Sequence, residues 1–144
     1  MKISKILIVL GEPQSTFSEI LFKYFISKEF FKSKKKIILI GSMSLMKKQM
    51  KELKYNFNLK LIKNVNEAKN NELNIINVHY DGKKHFSEIS SNSKLYISNC
   101  FKVALSIIKS NKQIALINGP ISKRYFLNKK YLGVTEYISK KTNS

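Results

Sequence analysis

The chain has 144 residues, 43% of them hydrophobic, and carries a formal net charge of +18 from 27 Lys and Arg against 9 Asp and Glu. That length fits one domain with a real core, the apolar content is that of a globular chain, and no apolar run approaches the roughly 18 residues that span a bilayer. The charge is nearly all Lys and is scattered, with Arg124 the one Arg and Asp81 the one Asp. A solvated lysine surface is therefore expected, since base-reading interfaces favour Arg forks. Neither a nucleic acid nor a membrane is expected as a partner.

The N-terminus lacks a signal-peptide pattern, because Lys2 and Lys5 flank too short an apolar segment with no small-residue cleavage site. With a lone cysteine, Cys100, this predicts a cytoplasmic protein without an internal disulfide framework. Ile3 to Leu10 is a continuous apolar strand, as expected for one buried on both faces. Gly11-Glu12-Pro13 ends it. Thr16 and Glu19 have capping-box spacing, and Ile20, Leu21, Tyr24 and Phe25 form a helical stripe.

Ile37 to Gly41 is a second buried strand. Ser42 or Ser44 caps the next helix, which carries Leu45, Met46, Met50 and Leu53. The helical spacing of Met43, Met46 and Met50 reads as core filling. Leu59 to Ile62 and Leu73 to Val78 are the third and fourth strands. His79 to Asn92 is polar and turn-rich, with Asp81-Gly82 its clearest turn signal. A long helix runs from about Ser93 to Ser110, with Tyr96, Cys100, Val103, Ala104, Ile107 and Ile108 on one face. The strand Ile114 to Ile117 follows, then a short helix and loop, then a helix opening near Thr135. Alternating strands and helices predict a mostly parallel sheet flanked by helices. The chain stops at Lys140 to Ser144 without a clear terminal element to seal the sheet.

Familiar chemical signatures are sparse. No Walker loop or dinucleotide-binding glycine fingerprint occurs. His79 and His85 have no nearby Cys or carboxylate at ligand spacing, so no metal ligands are assigned to this chain. A Ser-His-Asp triad has no nucleophile elbow to support it. Two strand ends carry a Gly near polar residues: Gly11-Glu12-Pro13-Gln14-Ser15, and Asn118-Gly119-Pro120-Ile121-Ser122-Lys123. In a parallel sheet both point to the same edge, where open α/β folds bind ligands. Asn118, Gly119, Pro120, Ser122 and Lys123 would line a corner for an anionic or hydroxylated small molecule, or form a surface turn with a solvated Lys. Glu12 would orient a ligand or catalytic group, or simply face a helix N-terminus.

Taken together these segments resemble the N-terminal half of the 4-hydroxythreonine-4-phosphate dehydrogenase family of vitamin B6 biosynthesis. The family's first strand ends in Gly-Asp/Glu-Pro with a Pro-Glu pair a few residues on. Here Gly11-Glu12-Pro13 and Glu19 match, while Gln14, Ser15, Phe17 and Ser18 depart. The family's Thr-Gly-Pro-Ile-Asn/Ser-Lys is matched by Asn118-Gly119-Pro120-Ile121-Ser122-Lys123. Its Gly-His-Thr-Glu-Phe/Tyr is matched by Gly133-Val134-Thr135-Glu136-Tyr137, with Val134 in place of the His.

The resemblance implies an isocitrate/isopropylmalate-dehydrogenase-like fold, incomplete at the C-terminus, in a single partial α/β domain over residues 1–144. It implies NAD-dependent oxidation of a phosphorylated hydroxy-amino-acid substrate followed by decarboxylation, with a divalent metal (Zn, Mg or Co) and a homodimer. Thr135 carries over as a substrate contact. Val134 marks the position of the family His but cannot donate, accept or carry charge. The family's metal-binding His residues, basic phosphate-binding residues and most nicotinamide contacts lie downstream of these segments, so the resemblance implies a fragment inactive by itself. A non-catalytic small-molecule-binding domain of the same fold is the alternative, ahead of a basic nucleic-acid-binding module.

Overall fold

The computed structural model describes residues 2–82, 91–128 and 130–143. Strands β1 (Lys5–Val9), β2 (Lys36–Gly41), β3 (Leu59–Leu61), β4 (Leu73–Asn77) and β5 (Ile114–Asn118) form one sheet in the order β3-β4-β2-β1-β5. Every pairing is parallel. Helices α1 (Phe17–Phe25), α2 (Lys28–Lys32), α3 (Met43–Glu52), α4 (Ser91–Lys109) and α5 (Val134–Thr142) cover its two faces. The expected α/β architecture is present.

The strand period of two splits the apolar residues between the faces. Leu7 and Val9 of β1 and Ile38 and Ile40 of β2 join Tyr96, Ile97, Cys100 and Phe101 of α4 in one core. Ile8, Leu10, Ile37 and Leu39 join Leu21, Phe22, Phe25, Phe30, Met46 and Met50 in the other. Both sides of β1 and β2 are thus buried, which is why their sequences read as unbroken apolar runs. Cys100 is buried as expected, and burial pushes its thiol up to about 12. Tyr96 extends its hydroxyl to accept the Ser42 N–H at 2.9 Å, fixing α4 to the start of α3. Ser42 is also the N-cap of α3, its Oγ accepting the Leu45 N–H at 3.2 Å.

Several local expectations are corrected. The strand expected over Ile3–Leu10 is shorter, Lys5–Val9. The capping box of Thr16 and Glu19 does not form: Thr16 makes no side-chain cap bond. Ser15 Oγ accepts the Phe17 N–H at 3.4 Å instead, and Glu19 pairs with Lys23 at 2.9 Å. Ile20 is 59% exposed, and Phe22 takes its place in the buried stripe. Helix α2 was unforeseen; Ser27 caps it by accepting the Phe30 N–H. The helix expected around Ser93–Ser110 opens at Ser91, and Ile97, Phe101 and Leu105 widen its buried face. The short helix expected after β5 is a set of turns among the described residues. His85 and most of the turn-rich segment fall in residues 83–90, outside the described residues, and the Asp81-Gly82 turn adjoins that boundary. No described helix is long and apolar enough to cross a membrane.

Candidate functional site

Strands β1 and β5 are neighbours with Val9 opposite Asn118, so the loops that leave them start side by side. The ladder continues past both strands: Gly119 N–H donates to Val9 O at 2.7 Å, and Glu12 N–H donates to Pro120 O at 2.8 Å. Only glycines allow this approach. Gly11 has φ +75°, and a Cβ there would sit 2.4 Å from Pro120 O. A Cβ on Gly119 would sit 2.4 Å from Leu10 O and 2.6 Å from the Phe17 ring. The two Gly-containing strand ends singled out in the sequence therefore form one packed unit.

Glu12 is the polar centre of that unit. It is only 8% exposed, and its Oε1 accepts the Ser122 N–H at 3.1 Å. Burial raises its carboxyl above the usual value, opposed by the Ser122 N–H and by the Ser93 side chain at the start of α4. Among the described residues no hydrogen-bond partner is found for Oε2. Glu12's charge and burial in turn raise the Tyr80 phenol, burial being the larger cause. The cavity beside this carboxylate, lined also by Leu10, Gly11, Pro13, Ser18 and Gln49, is only about 10 Å³, no more than one water's worth. Gln49 closes its floor by donating to Pro13 O at 2.9 Å.

Ser122 opens a single tight turn. Its Oγ accepts the Tyr125 N–H at 3.2 Å, and its carbonyl accepts the Phe126 N–H at 2.8 Å. Phe126 and Leu127 are buried and anchor the far side, while Pro120, Lys123, Arg124 and Tyr125 are exposed. Arg124 lies over the Tyr125 ring at 5.6 Å. It stands beside Lys123 as a second exposed cation, a site feature that no motif in the sequence marks. Asn118 is turned back on its own loop, its Nδ2 donating to Gly119 O at 3.0 Å.

The Gly133 to Tyr137 segment divides its labour. Glu136 Oε2 accepts the Leu132 N–H at 2.6 Å, tying down the start of α5, and that bond is the main cause that lowers its carboxyl. Tyr137 is buried against Phe126 and Phe101, with ring centroids 5.1 and 5.5 Å away. Val134 packs against the same apolar cluster. Within this segment Thr135 alone is exposed. The aromatic cluster is the physical link between α5 and the Ser122 turn.

His79 does meet a carboxylate, contrary to the sequence reading: its Nε2 lies 2.6 Å from Asp81 Oδ1, with both side chains largely exposed. Among the described residues no group of three or more His, Cys, Asp or Glu is placed to hold a metal ion. An aromatic groove of about 520 Å³ lined by Phe25, Phe30, Phe31, Phe57, Lys60 and Leu73 lies at the opposite ends of the strands and shares none of these residues.

Residues 33–144 match the model of the family described as pyridoxal phosphate biosynthetic protein PdxA. The chain belongs to the PdxA family. A curated relative, the 4-hydroxythreonine-4-phosphate dehydrogenase of Sulfurihydrogenibium sp. (strain YO3AOP1), is 30% identical over 141 residues, covering 94% of this chain and 42% of the relative. The fold is that of a solved 4-hydroxythreonine-4-phosphate dehydrogenase from Burkholderia phymatum, with a TM-score of 0.83 at 17% identity over 97% of this chain and 44% of that one. The Klebsiella pneumoniae protein of the same name gives a TM-score of 0.82 at 16% identity, over 98% and 45%. The chain spans less than half the length of each of these PdxA-family relatives.

Proposed function

We propose that this chain supplies one wall of the substrate site of a 4-hydroxythreonine-4-phosphate dehydrogenase, an oxidoreductase of vitamin B6 biosynthesis. The single observation that carries this reading is the joining of Gly11-Glu12-Pro13 to Gly119-Pro120 at one sheet edge, in a chain of the PdxA family. When bound, NAD would accept a hydride from the substrate's secondary alcohol, whose proton would pass to solvent, and the β-keto acid so formed would then lose CO2. Thr135 would hold a hydroxyl or phosphate of the substrate, and Ser122, Lys123 and Asn118 would line the corner.

A divalent ion would polarise the oxygen being oxidised and stabilise the enolate left by CO2 loss. The described residues offer neither a three-ligand cluster nor a glycine-rich dinucleotide cradle, so neither group is placed on residues of this chain. The residues that complete the site are expected from the rest of a longer polypeptide, one partial domain being present here, and from a second copy in a homodimer. A cytoplasmic setting suits the single buried thiol. The scattered lysines call for no nucleic-acid partner.

The test is Thr135→Ala in the dehydrogenase containing this chain. Substrate KM should rise by roughly tenfold, the cost of about one hydrogen-bond partner, with thermal stability unchanged. An unaltered KM would remove Thr135 from the site. Substrate binding without NAD reduction, even with metal supplied, would favour a non-catalytic binding domain of the same fold.

A further inference from the structure

We propose that Glu12 is a positioning residue whose carboxylate, through Oε1, pins the Ser122 N–H and so sets the Ser122-Lys123-Arg124 corner against the end of β1. The corner's importance for ligand binding rests on the function proposed above. The clamp itself rests on geometry alone.

Between buried Gly119 and buried Phe126, the chain passes through exposed Pro120, Lys123, Arg124 and Tyr125. Apart from Ile121, which is partly buried against the core, the segment has little packing to hold it. Its internal bonds, Tyr125 N–H to Ser122 Oγ and Phe126 N–H to Ser122 O, shape the turn but do not fasten it to the sheet. Two ties cross to the β1 loop: Glu12 N–H to Pro120 O, and Ser122 N–H to Glu12 Oε1. The second reaches the residue that opens the turn, and it spans 110 positions of sequence.

The choice of side chain is informative. A buried carboxylate is costly unless it is well partnered. Glu12 is 8% exposed; its Oε1 is bonded to the Ser122 N–H, the Ser93 side chain also acts on the carboxyl, and Oε2 has no hydrogen-bond partner among the described residues. A neutral acceptor would hold Ser122 at less cost. What the carboxylate adds is charge, which strengthens the bond to an N–H donor. Among the described residues, the groups facing it are the Ser93 side chain from α4, the Tyr80 phenol after β4, and Ser122 itself. Tyr80 is the one titratable group among them, and Lys123 next to the clamp is exposed to solvent. Ionisation of Glu12 is therefore read out locally, at the amide it holds.

Amide hydrogen exchange and amide chemical shifts of the intact chain test this. In Glu12→Ala, exchange at Ser122, Tyr125 and Phe126 should quicken by roughly tenfold or more relative to the β1 and β2 amides. Glu12→Gln, which keeps an oxygen acceptor, should restore most of the protection. In the wild type, the Ser122 amide shift should titrate with a midpoint above the ordinary glutamate value of 4.5, and that titration should vanish in Glu12→Gln. A flat Ser122 shift in the wild type, or unchanged exchange in Glu12→Ala, would overturn the assignment. Should Glu12→Ala not fold, the wild-type and Glu12→Gln titrations decide alone. Neither readout uses substrate or cofactor, so failure of the dehydrogenase reading would leave the result standing.

Discussion

Gly11 and Gly119 meet with no side chain between them: a Cβ added to Gly11 would fall 2.8 Å from the Gly119 carbonyl carbon and 3.1 Å from its Cα. The contact joins the ends of β1 and β5, so it decides how closely the two loops of the candidate site approach.

Gly11→Ala and Gly119→Ala should each destabilise the fold by about 2 kcal/mol or more, since the obstacles are backbone atoms that cannot move aside. Gly11→Ala adds the strain of a side chain at φ +75°. Gly133→Ala is the control, because a Cβ there meets nothing within 4 Å and the residue's φ of −166° is extended backbone. Its cost should stay below about 1 kcal/mol. Urea denaturation of the three variants tests the ranking, and equal losses at all three positions would refute it.

Glu12 gives a signed pH dependence. Burial raises its carboxyl above the ordinary 4.5 despite the opposing Ser122 N–H and Ser93 side chain. The stability this contributes is fully present below the unfolded-state value and is lost as pH rises through the folded-state value. Glu12→Gln should therefore be more stable than the wild type at neutral pH, with the gap closing as pH falls below 4.5. Thermal melts across that range measure it. A Gln variant less stable than the wild type at neutral pH contradicts the assignment.

Tyr96→Phe removes the acceptor of the Ser42 N–H while leaving the ring in place. Tyr96 is almost wholly buried, so the amide is left without its 2.9 Å partner. A loss of about 1–3 kcal/mol is expected. Ser42 caps α3, so the exchange of amides in the first turn of α3 should quicken more than that in α5.

Phe126→Ala should cost about 3–5 kcal/mol and loosen two parts of the candidate site together. The ring packs on Phe101 and Tyr137 at 5.7 and 5.1 Å, tying the Ser122 turn to α5. Resonances of Thr135 and of Lys123 should both shift. A change confined to one of them would mean that the aromatic cluster does not couple the segments.

The parallel sheet was legible because β1 and β2 are buried on both faces, leaving continuous runs such as Ile6-Leu7-Ile8-Val9. Ser42 was legible as a cap because capping is local in sequence. Thr16 misled for the same reason: Glu19 had a better partner one turn on in Lys23, and the hydroxyl of Ser15 served the helix start. Ile20 was misplaced because a stripe drawn one residue off exchanges it with Phe22. At the site, the glycines and Thr135 were visible as motif positions. The clamp from Glu12 to Ser122 was not, since no spacing rule reaches across 110 residues. Glu136 reads as a motif acid, yet its bond to the Leu132 N–H makes it a brace for α5.

The placement of β1 between β2 and β5 has a consequence for how the molecule comes into being. Lys5 pairs with Lys36 on one side and with Ile114 on the other. A ribosome adding about 5–20 residues per second leaves that second flank waiting on the order of ten seconds. During that interval β1 shows an apolar edge, the kind that other strands capture by mistake. Contacts so distant in sequence also slow closure of the sheet. Both loops of the candidate site stay apart until β5 docks, so nascent chains interrupted before that point carry no part of the site in working form.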